Sequence, residues 1–233
     1  MTETDALLLR VETPICAFRP FASREYQDTY PVPTPASVYG MLLSFLGIER
    51  DQKTRHEGVR MALALSPSRE EAQTVNEALP LRSSVFRKFR RVSQTGYNKL
   101  KKSPDELDQF IVKARRPDYQ DLLTDLELWV WLQAGDDEHD LPAALSAALS
   151  DPSSIRCRHG GLSLGESSYL VNSINCVTEK HLPPRVVALQ PSEKGFYSLP
   201  VWTDHIHDRS RLIRFELTLT SPHPAWFTVA PRN

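Results

Sequence analysis

No segment of this 233-residue chain is long and apolar enough to cross a bilayer: the longest apolar run, Val38 to Leu46, falls far short of the roughly 20 residues that a spanning helix needs. The start, MTETDALLLR, lacks the basic region of a secretion signal, so neither export nor a membrane partner is expected. Cysteine is scarce. Cys16, Cys157 and Cys176 are odd in number and form no CxxC pair, which argues against a disulfide framework or a zinc ribbon and points to a reduced cytoplasm. GxSxG, HExxH and paired-carboxylate motifs are missing too. The sequence gives no ground for calling the protein an enzyme, and no cofactor or metal is expected. Without an internal repeat, a low-complexity tract or a long linker, the chain reads as one domain with a large insertion.

One further absence turns the argument toward what is present. From Arg82 to Lys102 there is no acidic residue at all, while Arg82, Arg87, Lys88, Arg90, Arg91, Lys99, Lys101 and Lys102 fall inside the run. Over the wider stretch Leu79 to Arg116 the net charge is +8, so the rest of the chain carries −9 and the overall −1 conceals the asymmetry. Phe86, Phe89 and Tyr97 are interleaved with the cations. Guanidinium and ammonium groups bind phosphates and aromatic faces stack on unpaired bases, so this arm reads as a single-stranded RNA binder. The competing reading is a solvated charged face with core aromatics.

Around the arm the pattern is that of alternating strands and helices. Leu7, Leu9 and Val11 alternate with Leu8, Arg10 and Glu12 in a first strand, followed by an irregular stretch from Pro14 to Pro33. Thr34 is placed as an N-cap and Pro35 as the first helical residue. Val38, Met41, Leu42, Phe45 and Leu46 make one apolar stripe, and Gly47 ends the helix in a left-handed conformation. Gly40 lies off that stripe. Either something approaches the helix there, or the helix packs tightly on its own sheet.

Met61, Leu63 and Leu65 suggest a second strand, and Pro80 to Val92 an extended arm with its tip at Gln94 to Lys102 and its return at Phe110 to Arg116. Leu126 to Leu132 is apolar on both faces and reads as a separate central strand. Leu141 to Leu149 suits a short helix stopped by Pro152, and Ile213, Phe215, Leu217 and Leu219 alternate in a late strand. The order predicts an α+β, ferredoxin-like or RRM-type palm with a long arm in its middle.

Other constellations carry weaker signals. Trp129 and Trp131 share one strand face and would stack bases on an open sheet, but burial under a helix is favoured. GGLSLGES, from Gly160, offers backbone N–H groups and the hydroxyls of Ser163, Ser167 and Ser168 to a phosphate. It lacks the Lys and the spacing of a P-loop. Asp204-His205-Ile206-His207-Asp208 has two histidines but no evident third metal ligand. Lys180-His181 is read as a surface pair.

Three stretches in order carry a family resemblance: ICAFRPF (Ile15 to Phe21) with PTPASVYGMLLSFLG, then RRPDYQDLLTDLELWVWL (Arg115 to Leu132), then GGLSLGESSYLV. Together they resemble the CRISPR-associated Cas-five proteins, particularly the DevS-like branch, from about Leu7 to Val177. The resemblance implies a non-catalytic subunit of a type I Cascade complex, with a ferredoxin-like palm (1–80 and 117–233), a β-hairpin thumb (about 81–116) and extra C-terminal strands. It implies binding of the repeat-derived 5′ handle of crRNA, contacts with the backbone (Cas-seven) and large (Cas-eight) subunits, and target DNA reached through the complex. Carried onto this chain, the thumb adds Arg115 and Arg116 to the cations and aromatics above. Arg19, Tyr39 and the loop with Gly160, Gly161, Ser163, Gly165 and Ser167 would face the handle.

The type I-C branch of the family cuts precursor RNA with a Tyr, Lys and His set. Here Lys180-His181 follows the glycine-rich loop instead of lying in the thumb, so a separate processing nuclease is expected. The rivals are a metal-independent endoribonuclease using Lys180, His181 and Tyr39, and a free-standing RRM-like regulator stacking bases on Trp129 and Trp131.

Overall fold

The alternation at the N-terminus builds strand β1 (Leu7–Cys16), longer than the sequence predicts because it runs through Pro14. The computed structural model describes residues 6–20, 27–90, 98, 101, 115–135, 140–151, 153, 155, 157–158, 161–204, 207 and 209–231, with the backbone alone at 86–90 and 115–118. Helix α1 (Pro35–Phe45) starts and stops where the capping residues dictate. Thr34 Oγ1 accepts from the Ser37 N–H at 3.3 Å, and Pro35 fills a position whose N–H has no helical acceptor. At the other end Gly47 adopts φ 72°. The Gly47 N–H then donates to the Ser44 carbonyl and the Ile48 N–H to the Leu43 carbonyl, the paired bonds of a Schellman stop. Burial exceeds the expected stripe: Tyr39 and Leu43 are covered along with Val38, Met41, Leu42 and Phe45.

A short 3₁₀ segment (Arg50–His56) leads to strand β2 (Arg60–Leu65) and the single turn α2 (Val75–Ala78). Strand β3 (Leu81–Arg90) opens the arm, and strand β4 (Arg115–Gln133) closes it and crosses the palm. Helix α3 (Leu141–Ser150) follows, N-capped by Asp140. Then come β5 (Ser173–Val177), a 3₁₀ turn (Glu179–His181), β6 (Val186–Pro191), β7 (Tyr197–Asp204), β8 (Arg209–Thr220) and the short β9 (Phe227–Thr228).

The sheet order is β5-β1-β4-β2-β6-β8-β7, with antiparallel neighbours. Its first four members, numbered within the palm, stand 4-1-3-2, the ferredoxin-like arrangement in which α1 and α3 cover one face. Strands β6, β8 and β7 extend that sheet, where sequence periodicity revealed just one late strand.

Two expectations are corrected here. The arm's return and the central strand are one continuous 19-residue element, β4. Its partner segment for β3 is Arg115 to Thr124, and the rest of the expected return, Phe110 to Ala114, lies outside the described residues. The tryptophans are buried, as favoured, but not under a helix. Trp129 and Trp131 turn away from α1 and pack with Leu8, Ala62, Ala64, Val186 and Ala188, beneath Leu182 and Trp226. At 1% and 3% exposure they offer no platform to a base, which removes the regulator reading's requirement.

At Pro14 and Asp125 the neighbouring strands β1 and β4 change phase together. Thr13 pairs with Leu126 and Ile15 with Thr124, while the opposed Pro14 and Asp125 drop out of the ladder. Asp125 sits at φ 53°, a conformation that a short polar side chain tolerates better than a bulky one. On one side of this break the helix-facing core takes Leu9 and Val11 with Leu126, Leu128 and Val130; on the other it takes Cys16 and Leu123. Ala17 and Leu122 turn to a separate cluster with Tyr169.

Candidate nucleic-acid interface

Ten residue pairs, from Leu81↔Thr124 to Arg90↔Arg115, zip β3 onto β4. This ladder sets the backbones of Phe86, Arg87, Lys88, Phe89, Arg90, Arg115 and Arg116 along one two-stranded ribbon. Of the remaining arm positions, Lys101 is exposed. Arg91, Tyr97, Lys99 and Lys102 lie outside the described residues, as does Gly160 of the loop.

Arg82, counted in the basic run, is committed elsewhere. Its Nε donates to Asp121 Oδ2 at 2.7 Å, and its Nη2 bridges to both Asp121 and Asp28. The Asp121 side chain is 1% exposed and also accepts from Ser84 Oγ at 2.5 Å. A buried carboxylate needs such a partner, so Arg82 neutralises the root of the arm and is not a free phosphate ligand. The acid-free run hid this because both carboxylates come from distant segments. A cleft of about 850 Å³ at that root is lined by Arg82, Asp28, Leu81 and Phe196 among others, and the Arg82 cation it presents is neutralised.

The glycine-rich loop is a pinned turn. Ser163 bridges Leu170, the Val171 N–H donates to the Leu162 carbonyl, and Leu164 is fully buried. Gly165 takes φ 84°, and a Cβ there would stand 2.3 Å from the Ala17 carbonyl oxygen. Only a residue without a side chain lets the loop lie this close to the end of β1. Gly165→Ala should therefore cost about 1–3 kcal/mol, through left-handed strain plus the clash, read as a lower urea midpoint. The next residue, Glu166, gathers the neighbourhood: its N–H reaches the Ala17 carbonyl, Gln120 Nε2 donates to its Oε2 at 2.9 Å, and Arg19 Nε approaches at 3.8 Å. The structure thus brings Arg19 and the loop together. It does so by pairing Arg19 with a carboxylate.

Between the loop and the outer side of α1 runs a groove of about 360 Å³. Trp202 of β7 and Gly40 of α1 border it, Ser163 and Ser167 face it, and it holds Arg50, Lys53 and Arg158. These cations were missed from sequence because they stand singly in segments far apart. Gly40 answers its own puzzle, since an added Cβ would meet nothing within 4 Å. Tight packing of α1 on the sheet is excluded at that position; the glycine faces the open groove.

Tyr39 is corrected. Its ring is 3% exposed and stacks at 5.8 Å on Trp202, and its hydroxyl donates to the Lys53 carbonyl at 2.5 Å. Burial, aided by the Glu57 charge, pushes its ionisation well above the usual phenol range. Tyr39 is a wall of the domain, with no free hydroxyl for RNA or for acid–base work.

The residues of the endoribonuclease rival do not meet. Tyr39 belongs to the helix-side core, whereas Lys180 and His181 lie on the turn whose next residue, Leu182, covers the tryptophan face. His181 Nδ1 is engaged with Thr178 at 3.1 Å. In the histidine segment, His207 Nδ1 lies 2.8 Å from Asp204 Oδ2, while His205 and Asp208 lie outside the described residues. Among the described residues no helix is long and apolar enough to cross a membrane. The three cysteines are free thiols, and burial pushes the Cys16 thiol up to about 12.

Similarity to known proteins runs the length of the chain. A family model described as CRISPR-associated protein (Cas_Cas5) matches residues 6–226, well beyond Val177, where the sequence resemblance stopped. A protein of Myxococcus xanthus (strain DK1622), "CRISPR-associated protein Cas5", is 32% identical over 222 residues, covering 93% of this chain and 92% of its own length. Among solved structures, a chain of a CRISPR RNA-guided surveillance complex matches with a TM-score of 0.61 at 13% identity, over 93% of this chain and 90% of that one. A crystal structure described as a Cas protein matches with a TM-score of 0.52 at 16% identity, over 93% and 95%. At those identities the two structures speak for the fold.

Proposed function

This chain belongs to the CRISPR-associated Cas5 family, and from that premise we propose that it is a non-catalytic, guide-RNA-binding subunit of a type I surveillance complex acting in the cytoplasm. It holds the repeat-derived 5′ handle of crRNA. The observation that carries this reading is the ribbon of β3 and β4, which sets Arg82 to Arg90 in extended backbone, the first part of a basic, aromatic-studded run that has no acid in sequence from Arg82 to Lys102. Phosphate contacts along the ribbon supply affinity without reading sequence, and bases splayed from a single strand stack on the interleaved aromatics. The thumb in this reading is about 81–116, on a palm of 1–80 and 117–233. The backbone (Cas-seven) and large (Cas-eight) subunits are its neighbours, and target DNA is reached through them.

The subunit binds and does not cut, a reading favoured by the separation of Tyr39 from Lys180 and His181. The test is incubation of the purified protein with labelled precursor repeat RNA and with mature guide RNA, in the presence of EDTA or of divalent metal. Binding without cleavage, tighter for a guide with an intact 5′ handle, is expected. Site-specific cutting that survives EDTA would instead make the protein a processing nuclease.

A further inference from the structure

Some cations elsewhere are paired with carboxylates: Arg10 with Glu12 and Glu127, Arg19 with Glu166, and Arg82 at the root of the arm with Asp28 and Asp121. The groove beside α1 instead gathers three cations in one place. Among the described residues, Arg50, Lys53 and Arg158 have no carboxylate within ion-pair distance, although they line one cavity of about 360 Å³. Like charges collected without counter-charges repel one another, and a site that keeps them together is suited to an anion.

Arg158 and Lys53 are held differently. Arg158 Nη1 donates to the Ile48 carbonyl at 3.0 Å, and its backbone N–H to the Ser44 carbonyl, so the residue is tied to the end of α1. Its buried Nε finds no acceptor among the described residues. That structural task leaves guanidinium capacity unspent. Desolvation and the nearby Arg50 charge both push Arg158 toward losing its proton, against a weaker pull from Glu49. The Lys53 ammonium sits 4.3 Å above the Trp202 ring, and desolvation lowers its ionisation while Asp204 opposes the shift. Asp204 itself is engaged with His207. Gly40 keeps the wall opposite clear of any side chain, and Ser163 and Ser167 add hydroxyls.

We infer that this groove is a second RNA contact, separate from the arm, in which Arg50, Arg158 and Lys53 clamp a backbone phosphate of a single strand laid along α1 past Gly40. The site rests on the RNA-binding reading above and deepens it: the strand leaves the ribbon and is fixed on the palm. A guanidinium pair suits a phosphodiester because its planar donors match the two non-bridging oxygens. Glycine at position 40 lets the strand approach the helix backbone more closely than any other residue would.

The variants that test this exploit the open space at Gly40. Gly40→Gln and Gly40→Glu place equal bulk in the groove and differ in charge, and both remove a helix-interior glycine, so the fold is retained with a thermal midpoint at or above wild type. The probe is labelled single-stranded RNA of the repeat, titrated across a salt series. Gly40→Glu should weaken binding at least about 10-fold relative to Gly40→Gln at low salt, a gap that closes as salt rises. Arg50→Ala should lower the magnitude of the log–log salt slope by about 0.7, the share of one phosphate. Suppose wild type binds, neutralising the arm weakens it, and both Gly40 variants and Arg50→Ala bind as wild type does. The groove is then not an RNA site, while the arm reading stands. Failure of the wild-type protein to bind the RNA at all overturns both.

Discussion

Replacing Arg87, Lys88, Arg90 and Arg91 together by Ala is expected to lower affinity for handle-bearing guide RNA by on the order of 10²–10³ at 0.1 M salt. The size follows from counterion release. Each cation that neutralises a phosphate of a single strand contributes about 0.7 to the slope of log affinity against log salt, so four contribute roughly 3. Extrapolated to about 1 M salt, where this contribution vanishes, wild type and variant should converge. Thermal stability should be unchanged, because the arm's strands are held by backbone pairing and the palm's core lies elsewhere. A filter-binding series over salt measures the effect, and an unchanged slope would falsify the role of the arm.

The second large effect is on the fold. Trp129→Ala should destabilise the protein by about 3–5 kcal/mol, the usual range for removing a buried large aromatic. Trp129 is 1% exposed at the centre of the face opposite the helices. Its Nε1 donates to Ser66 Oγ at 2.8 Å, and Ser66 and Arg10 both hold Glu127. Truncation opens a cavity and also loosens this chain of polar contacts. Urea denaturation reads the loss directly. A change below about 1 kcal/mol would mean that the face collapses around the gap, contrary to the close packing that interiors usually show.

What the sequence disclosed, and what it concealed, divides along the range of the interactions. Helix α1 was legible to the residue because its limits are local: Thr34 accepts from a donor three residues on, and Gly47 needs only its own φ. The ferredoxin-like order was legible for the same reason, since strand and helix periodicities are local patterns. The unity of β4 was not. Its first half pairs with β3 on one edge and with Gln27 and the end of β1 on the other, and its second half lies between β1 and β2, so one strand wears two different patterns.

The site divided in the same way. A dense basic run stands out in any window, yet the run concealed that Arg82 is spent on Asp28 and Asp121. Arg50, Lys53 and Arg158 escaped notice because what joins them is a groove, made where a 3₁₀ segment, the approach to the glycine-rich loop and α1 converge. Tyr39 was misjudged because nothing within α1 says that Trp202, from β7, will cover it.

The shared break at Pro14 and Asp125 limits how this domain can be recombined. An arm with its own preferred length or bases could be exchanged between relatives beyond the last described pair, Arg90 with Arg115. Exchange at the root is different. The faces of β4 beyond Asp125 match those of β1 beyond Pro14, since Cys16 and Leu123 switch sides together. A graft that takes the foreign root of β4 without the end of β1 sets one strand's inward residues against the other's outward ones. The natural unit of exchange therefore spans two stretches more than a hundred residues apart, and a cut made by following the insertion in the sequence would divide it.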